Sequence, residues 1–486
     1  MSIDERRVTA GWIDEAPSGE ALSLEASPEM VVEEGPMVLR EENFLPLPKA
    51  LPVDGGERVS SVDVIRGVAL MGILAMNIVG MAWPGNVYGN PIAAPGYSRA
   101  DLWLWGFNHV VFDTKMMTLF SMLFGGGLVL MSDRADGRGA KMRGVYYRRV
   151  AWLLVIGLVH AYLIWDGDIL VMYASVGLLL YPIRQWSART LLIVGVCLNL
   201  VLVPLWAGFR FGAVPFMEAT AMKVEAQVAA KETPVPWEKR VAEAWKKMAK
   251  PEKKSAFEKR EVFLEDLKVM RGGYAGIVKN RAPNLFFGQT LGFVMFAWWF
   301  VGGRMLIGMG LMKLGVFSAR LSVRSYAVMM AVGYGLGLPL MIFDAVQESS
   351  HGFFPGQGFQ HGLEGWFMIT MYGSMLVVFG HIGLVMLACK TNTATWLTRR
   401  LGAAGRMALS CYLFDSIVGT TLFYGYGFDF AGSLYRPLLY AIVLTIWTTQ
   451  LLVCPLWLEK FRFGPAEWLW RSLTYWKFQS MKPRAA

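Results

Sequence analysis

The residues best suited to chemistry are a histidine and two aspartates at the end of an apolar run. His160 is followed by Asp166 and Asp168. A carboxylate beside an imidazole fixes the tautomer of the ring and stabilises the imidazolium, which is the usual arrangement of a general base. We therefore predict that His160, oriented by Asp166 or Asp168, is catalytic or binds substrate. The alternative is a packing histidine beside two aspartates that cap the next helix.

A second polar set lies on one face of the first apolar run. Asp63, Arg66 and Asn77 are at offsets of 3 and 14 residues, so at about 100° per residue they fall within roughly 60° of one another on a helix. This pattern predicts an anion-binding arginine that Asp63 orients, with Asn77 deeper in the membrane. The alternative is an ordinary helix start, in which Arg66 extends towards lipid headgroups.

A third set is buried in a longer apolar run. His109 and Asp113 are four residues apart, on one helical face, and Lys115 follows. Ionisable groups at such depth must be satisfied by each other or by an aqueous cavity, and they mark candidate functional sites. We predict a substrate-binding role for these three residues and a broken or re-entrant helix near Asp113. Four isolated residues are expected to be structural: His381, Arg304, Asp344 and Asp415.

The elements that carry these residues are apolar helices. The 486-residue chain is 55% hydrophobic, with a mean hydropathy of +0.39, and runs of about 20 apolar residues are long enough to cross a bilayer. We predict an all-α, polytopic transmembrane bundle of about ten spans. The candidate spans are residues 64–83, 102–131, 147–164, 169–181, 191–209, 285–305, 326–343, 366–387, 407–424 and 438–458.

Charge and composition divide the chain further. Lys and Arg collect in alternate loops, which places both termini in the cytoplasm by the positive-inside rule. The predicted regions are a disordered acidic tail at 1–57, transmembrane helices at 58–209 and 285–460, a polar, extracytoplasmic helical insert at 210–284, and a cytoplasmic amphipathic tail at 461–486.

Several classes of protein are disfavoured by the sequence. The four cysteines form no CxxC pair, and we expect them to be small core residues. The net charge of +10 is carried by membrane-flanking loops and is accompanied by no nucleic-acid-binding motif. We predict no metal site, no tightly bound cofactor and no nucleic-acid partner.

Five stretches together carry a family resemblance: residues 62–78, 118–127, 157–173, 405–412 and 461–475. On these the chain resembles the YeiB-like family of bacterial membrane proteins, the domain of unknown function 418. The resemblance implies a multi-pass protein of the bacterial inner membrane, without a settled reaction. The chain departs from the family pattern, which reads Thr-Asn-Tyr and then Gln, at Ser410, Cys411 and Asp415.

The first span also resembles that of the heparan-alpha-glucosaminide N-acetyltransferases and, more distantly, the transmembrane acyltransferase superfamily. That resemblance implies acyl transfer from cytoplasmic acyl-CoA to an acceptor across the membrane, by a membrane-embedded histidine; the choice of His160 is our inference from its setting. Arg66 and basic residues of the 134–149 loop would hold the CoA phosphates. The acceptor would be a glycan, a lipid or a small metabolite, and the oligomeric state is left open. The alternatives are a transporter or flippase, and a membrane scaffold.

Overall fold

The computed structural model describes residues 60–137, 141–201, 208–249, 256–353 and 365–482. The predicted acidic tail at 1–57 lies outside these residues, as do residues 250–255 of the predicted insert. Within the described ranges every regular element is helical, which confirms the all-α prediction.

The helices are numbered here in chain order. They are α1 (Ser60–Ala82), α2 (Asn86–Gly89), α3 (Arg99–Val111), α4 (Lys115–Asp136), α5 (Arg143–Val159), α6 (Leu170–Leu180), α7 (Ala188–Leu200), α8 (Val214–Ala229), α9 (Pro236–Ala249), α10 (Ala256–Met270), α11 (Tyr274–Gly292), α12 (Gly303–Lys313), α13 (Val323–Ser350), α14 (Gly365–Thr391), α15 (Thr395–Arg406), α16 (Ala408–Phe423), α17 (Arg436–Lys460) and α18 (Pro465–Tyr475). Short π-helical segments follow α5 (His160–Ile164) and precede α8 (Phe209–Ala213), and a longer one joins α11 to α12 (Phe293–Gly302).

Several of these helices have the length and composition of membrane spans. Six are long and apolar enough to cross a bilayer: Ser60–Ala82, Arg99–Asp136, Arg143–Ile164, Val323–Ser350, Met371–Thr391 and Arg436–Lys460. Shorter apolar helices lie at Leu170–Ile183, Ala188–Leu200 and Ala408–Phe423. The protein is therefore a helical membrane protein, while the count of about ten spans stays a prediction.

The longest apolar segment contains the predicted break. Residues 112–114 separate α3 from α4, and Thr114 adopts a positive φ of 61°, which continuous α-helix does not tolerate. The break places His109 and Lys115 at facing helix ends rather than on one continuous helix.

Helix α1 is the centre of the bundle. In its most apolar 18-residue stretch 78% is buried, whereas the corresponding share in α13 and in α17 is 22%. Small residues permit this, because a methyl group at Gly67 would overlap the carbonyl oxygen of Leu401 in α15, and one at Gly72 would overlap the Met116 side chain in α4. Close packing through glycine is a common way for membrane helices to associate.

Basic loops gather around the start of α1. The Ser61 hydroxyl donates to the Phe317 carbonyl at 2.7 Å, Lys313 donates to the Trp186 carbonyl at 2.7 Å, and Lys390 donates to the Ala319 carbonyl at 3.1 Å. We call the region around Ser61, Lys313, Phe317 and Lys390 the basic end. The positive-inside rule predicts that it faces the cytoplasm.

The insert, helices α8 to α11, reaches the opposite end of α1. The ring of Phe263 lies 6.2 Å from that of Trp83, just after α1, and Gly425 donates its N–H to the Met270 carbonyl at 2.9 Å. We call the region around Trp83, Phe263, Met270 and Gly425 the insert end. Its position opposite the basic end accords with the sequence prediction, and its extracytoplasmic side stays a prediction.

Candidate functional site

A cavity of about 270 Å³ lies inside the bundle. Its walls are formed by α1, α4, α5, α6, α16 and α18, with the last residues of α15 at one edge. The deeper lining is apolar and includes Leu70, Ile73, Phe120, Leu123, Leu153 and Leu170. A cavity of this size and character is typical of a small-molecule site.

Five arginines line the same cavity. We call them the arginine cluster: Arg66, Arg134, Arg149, Arg406 and Arg471. They come from α1, α4, α5, α15 and α18, so that five separate helices bring positive charge to one place. This concentration favours a ligand with several negative charges, because each guanidinium offers a planar pair of donors to a phosphate or carboxylate.

The predicted pair Asp63 and Arg66 is part of this cavity. Arg66 donates from Nη1 to the Asp63 carboxylate at 2.8 Å, and both residues line the cavity. A methyl group at Gly405 would overlap the Asp63 carbonyl oxygen, so α15 packs directly on this turn and places Arg406 beside it. The third predicted member, Asn77, is half-buried and does not line the cavity.

The C-terminal helix α18 forms one wall of the cavity. Trp470 donates its indole N–H to the Arg149 carbonyl at 2.8 Å, and the Arg149 guanidinium lies 3.7 Å above the Trp470 ring. The amphipathic pattern of the 461–486 segment predicted a helix, but it gave no sign that this helix would complete a binding site.

Glu467 fixes α18 to the start of α16. Its carboxylate accepts the backbone N–H of Leu409 at 2.6 Å and of Ser410 at 3.2 Å, and the Ser410 hydroxyl at 2.5 Å. These N–H groups have no partner within α16, so a carboxylate is favourable there. Burial of this carboxylate nevertheless raises the pKa of Glu467 above its ordinary value.

His160 and Asp168 form the predicted dyad. His160 is fully buried, and its Nδ1 lies 2.7 Å from the Asp168 Oδ2. The other oxygen of Asp168 accepts the Val171 N–H at 2.8 Å, which locks the carboxylate at the start of α6. Asp166 is exposed, so the geometry distinguishes the two aspartates that the sequence left as alternatives.

The Nε2 of His160 has no hydrogen-bond partner among the residues that the structure describes. Because the Nδ1–H group donates a hydrogen bond to Asp168, the lone pair of the ring is at Nε2. A buried imidazole nitrogen without a partner is unusual. It is suited to accept a proton from a bound molecule.

Tyr412 lies between the cavity and this imidazole. Its ring lines the cavity, and the ring centroid is 4.9 Å from that of His160. His160 is not itself a lining residue, so the Tyr412 ring is a lining group that connects the cavity to the imidazole. The motif at 405–412 includes Tyr412, but its spacing did not predict this position.

The insert supports the turn that carries His160. Arg281 of α11 donates to the Tyr162 carbonyl at 2.8 and 3.2 Å and to the Ile164 carbonyl at 3.1 Å, while the Tyr274 hydroxyl donates to the Leu163 carbonyl at 2.8 Å. A cation is favourable at the carboxyl end of a helix, where carbonyl groups are unpaired.

The predicted set His109, Asp113 and Lys115 forms a separate cluster. The His109 Nε2 lies 2.9 Å from the Asp344 carboxylate, Lys115 donates to the His109 carbonyl at 2.5 Å, and the Tyr88 hydroxyl donates to Asp113 at 2.8 Å. None of these residues lines the cavity. Asp344, expected to be a structural hydrogen-bonding residue, is the partner of His109.

No metal site accompanies these groups in the described ranges, where no three His, Cys, Asp or Glu side chains are arranged to hold an ion. Of the predicted site residues, the structure brings Asp63 and Arg66 into the cavity and places His160 and Asp168 beside it.

Comparison with known proteins shows which family the chain resembles. The family model described as a protein of unknown function, DUF418, matches residues 311–477. The uncharacterized protein YxaH of Bacillus subtilis is 29% identical over 436 residues, which cover 88% of this chain and 97% of YxaH. The uncharacterized protein YeiB of Escherichia coli is 29% identical over 436 residues, which cover 86% of this chain and 96% of YeiB. The chain is therefore similar to these two YeiB-like proteins over most of its length, and residues 311–477 match the DUF418 model.

The match to the family model covers part of the candidate site. The matched region of the chain includes Arg406, Tyr412 and Glu467, whereas Arg66 and His160 precede it. The two relatives align with most of the chain, and their names state no reaction. The function must therefore be argued from the geometry.

Proposed function

We propose that this membrane protein transfers an acyl group from acyl-CoA to an acceptor, with the cavity as the donor site and His160 as general base. One observation carries the proposal: a single cavity is lined both by the arginine cluster and by Tyr412. The Tyr412 ring packs on the imidazole of His160, whose Nε2 has no hydrogen-bond partner among the described residues. A binding site for anionic groups and a candidate base thus serve the same internal space.

The length of α5 relates these two parts of the site. Arg149 and His160 are eleven residues apart, which corresponds to about 16 Å along a helix axis. CoA carries its phosphates at one end and its thioester at the end of an extended arm. A donor held by the arginine cluster would therefore direct its acyl group away from the basic end and towards Tyr412.

The arginine cluster would bind the phosphates of the donor. Asp63 orients Arg66 through the 2.8 Å ion pair, and Trp470 holds Arg149 from below its guanidinium plane. Fixed arginines lose less side-chain freedom when a ligand binds than mobile ones do. The apolar lining beyond them would receive the acyl chain and keep water away from the thioester.

His160 would then act on the acceptor. A hydroxyl or amine of the acceptor gives its proton to Nε2 and attacks the thioester carbonyl, the C–S bond breaks, and the CoA thiolate takes the proton back from the imidazolium. The Asp168 carboxylate, which accepts from Nδ1, would stabilise that imidazolium. The acceptor would be a glycan, a lipid or a small metabolite that approaches from the insert end.

The test is transfer of a labelled acyl group by purified protein in liposomes. Acetyl-CoA and a long-chain acyl-CoA, each labelled in the acyl group, are supplied with a total membrane extract as the source of acceptors. We expect His160→Ala to lower transfer by about 10²- to 10⁴-fold, the usual contribution of a general base. His351→Ala is the matched control, because His351 lies at the end of α13, outside the cavity.

Full transfer by His160→Ala would contradict the role of His160 as general base. Two outcomes would contradict acyl transfer itself. One is the lack of any transfer by the wild type, and the other is movement of label across the bilayer with the thioester intact, which would support the alternative function of a transporter or flippase.

A further inference from the structure

Arg304 is a fully buried arginine in the first turn of α12. Its Nε, Nη1 and Nη2 atoms have no hydrogen-bond partner in the part of the chain that the structure describes, and its guanidinium lies 3.1 Å from the centroid of the Phe300 ring. Buried charges in proteins are normally paired, because burial removes their hydration. The absence of a partner therefore needs an explanation.

Nearby acidic groups do not provide that partner. Arg304 is within electrostatic range of Lys115, which is also fully buried. The carboxylates of Asp344 and Asp113 interact with Lys115 and His109. Two buried cations are thus near each other, and the anions around them are engaged by Lys115 and His109.

A second unpaired polar atom lies at the same helix junction. Asn199 of α7 donates from Nδ2 to the Gly195 carbonyl at 2.9 Å, while its buried Oδ1 has no partner in the described ranges. This amide packs on Gly303, where a methyl group would overlap Nδ2. The π-helical segment Phe293–Gly302 ends here, and such segments are frequent at functional sites.

Arg304 lies close to the wall of the cavity. It interacts electrostatically with Tyr173, whose ring lines the cavity. The Tyr173 hydroxyl donates to the Met117 carbonyl at 2.7 Å and accepts from the Ser121 hydroxyl at 3.1 Å, and it makes no hydrogen bond with Arg304.

We propose that Arg304 binds an oxyanion, the carboxylate or phosphate group of a ligand that enters the bundle between α4, α6, α7 and α12. Stacking on Phe300 covers one face of the guanidinium and leaves its N–H groups in the ring plane, where they match two oxygens of such a group. The site does not depend on acyl transfer. Its ligand comes either from solution, through the cavity past Tyr173, or from an anionic lipid of the bilayer.

The test compares thermal unfolding of the purified protein in a neutral detergent with and without anions. Inorganic phosphate and butyrate probe a soluble source, and phosphatidylglycerol, with phosphatidylcholine as its uncharged reference, probes a lipid source. We expect one of these two classes to raise the transition temperature of the wild type by about 1–2 °C at roughly ten times its Kd. Arg304→Met should lose this shift. Arg324→Met, which removes an exposed arginine from the first turn of α13, should retain it.

Arg134→Met separates this site from the arginine cluster. A shift that persists in Arg134→Met and disappears in Arg304→Met assigns the oxyanion to Arg304. A shift that is equal in the wild type and in Arg304→Met, or lost only in Arg134→Met, overturns the proposal, as does the lack of any shift in the wild type.

The unliganded variants give an independent reading. Removing a buried charge that lacks a partner should leave the transition temperature of the ligand-free protein unchanged or higher. If Arg304→Met does not fold, Arg304→Lys keeps the charge without the planar pair of donors and should weaken the anion affinity at least several-fold. Undiminished affinity in Arg304→Lys would also overturn the proposal.

Discussion

The contact between α1 and α15 is predicted to determine the shape of the cavity. Adding one methyl group at this contact tests that prediction. Gly405→Ala would place a methyl group 2.7 Å from the backbone nitrogen of Gly67 and in overlap with the Asp63 carbonyl oxygen. Both neighbours are backbone atoms, so no rotation of a side chain relieves the clash. Because ordinary contacts begin near 3.4 Å, α15 would have to move by about 0.7 Å or more.

Gly402→Ala is the matched control on the same helix. Its methyl group would meet Val64 Cγ2 at 3.5 Å, an ordinary contact, and alanine stabilises a helix interior by about 0.5–1 kcal/mol relative to glycine. Overpacking at position 405 should instead cost about 1–3 kcal/mol. The two variants should therefore differ by about 1.5–4 kcal/mol, or roughly 2–4 °C in transition temperature for a protein of this size.

The assay is thermal unfolding in detergent, followed by titration with acyl-CoA. Displacing α15 also displaces Arg406 and presses on the Asp63–Arg66 turn, so acyl-CoA affinity should fall in Gly405→Ala and remain in Gly402→Ala. Equal stability and equal affinity in the two variants would refute the packing of α15 on α1 and its role in shaping the cavity.

Two further predictions concern the supports of the site. Arg281→Gln removes hydrogen-bond donors from the carbonyl groups that follow His160, so it should lower kcat with little change in KM for the acyl donor. The control is Arg271→Gln, in the same insert, which should leave kcat unchanged. Equal kcat values in the two variants would contradict the role of Arg281. Burial raises the pKa of Glu467 above its ordinary value of 4.5. At pH values just above 4.5 the folded protein therefore binds more protons at this carboxylate than the unfolded protein does. The free energy of unfolding should fall as the pH rises through that window. Glu467→Gln should flatten this slope in unfolding curves measured across it, and an unchanged slope would contradict the assignment.

Local spacing in the sequence was enough to predict the helical membrane fold, the Asp63–Arg66 pair, and a pair between His160 and one of two aspartates. Asp63 and Arg66 are one turn apart, and His160 and Asp168 are joined by a short loop, so helix geometry nearly determines their contacts. The choice between Asp166 and Asp168 needed the structure, because it depends on which carboxylate also binds the first N–H groups of α6.

Long-range contacts could not be predicted from a single sequence. The His109–Asp344 pair joins residues 235 positions apart, and the Tyr412 ring reaches His160 from a different part of the chain. Glu467 and Arg471 belong to an amphipathic pattern that predicts a helix on the membrane surface. The same pattern is compatible with a helix that forms the wall of a cavity, so the sequence could not distinguish the two. Arg304 looked like an isolated residue, and its lack of a hydrogen-bonding partner is visible only once its neighbours are placed.

The account rests on one internal space that joins the arginine cluster to the surroundings of His160. Photo-cross-linking tests this most directly, with an acyl-CoA that carries a diazirine in its acyl chain and with mass spectrometry to locate the attachment. We predict labelling of Tyr412, Ile169 or Leu170, suppressed by excess unlabelled CoA. Labelling confined to the lipid-facing surfaces of α13 and α17, unaffected by CoA, would contradict the account.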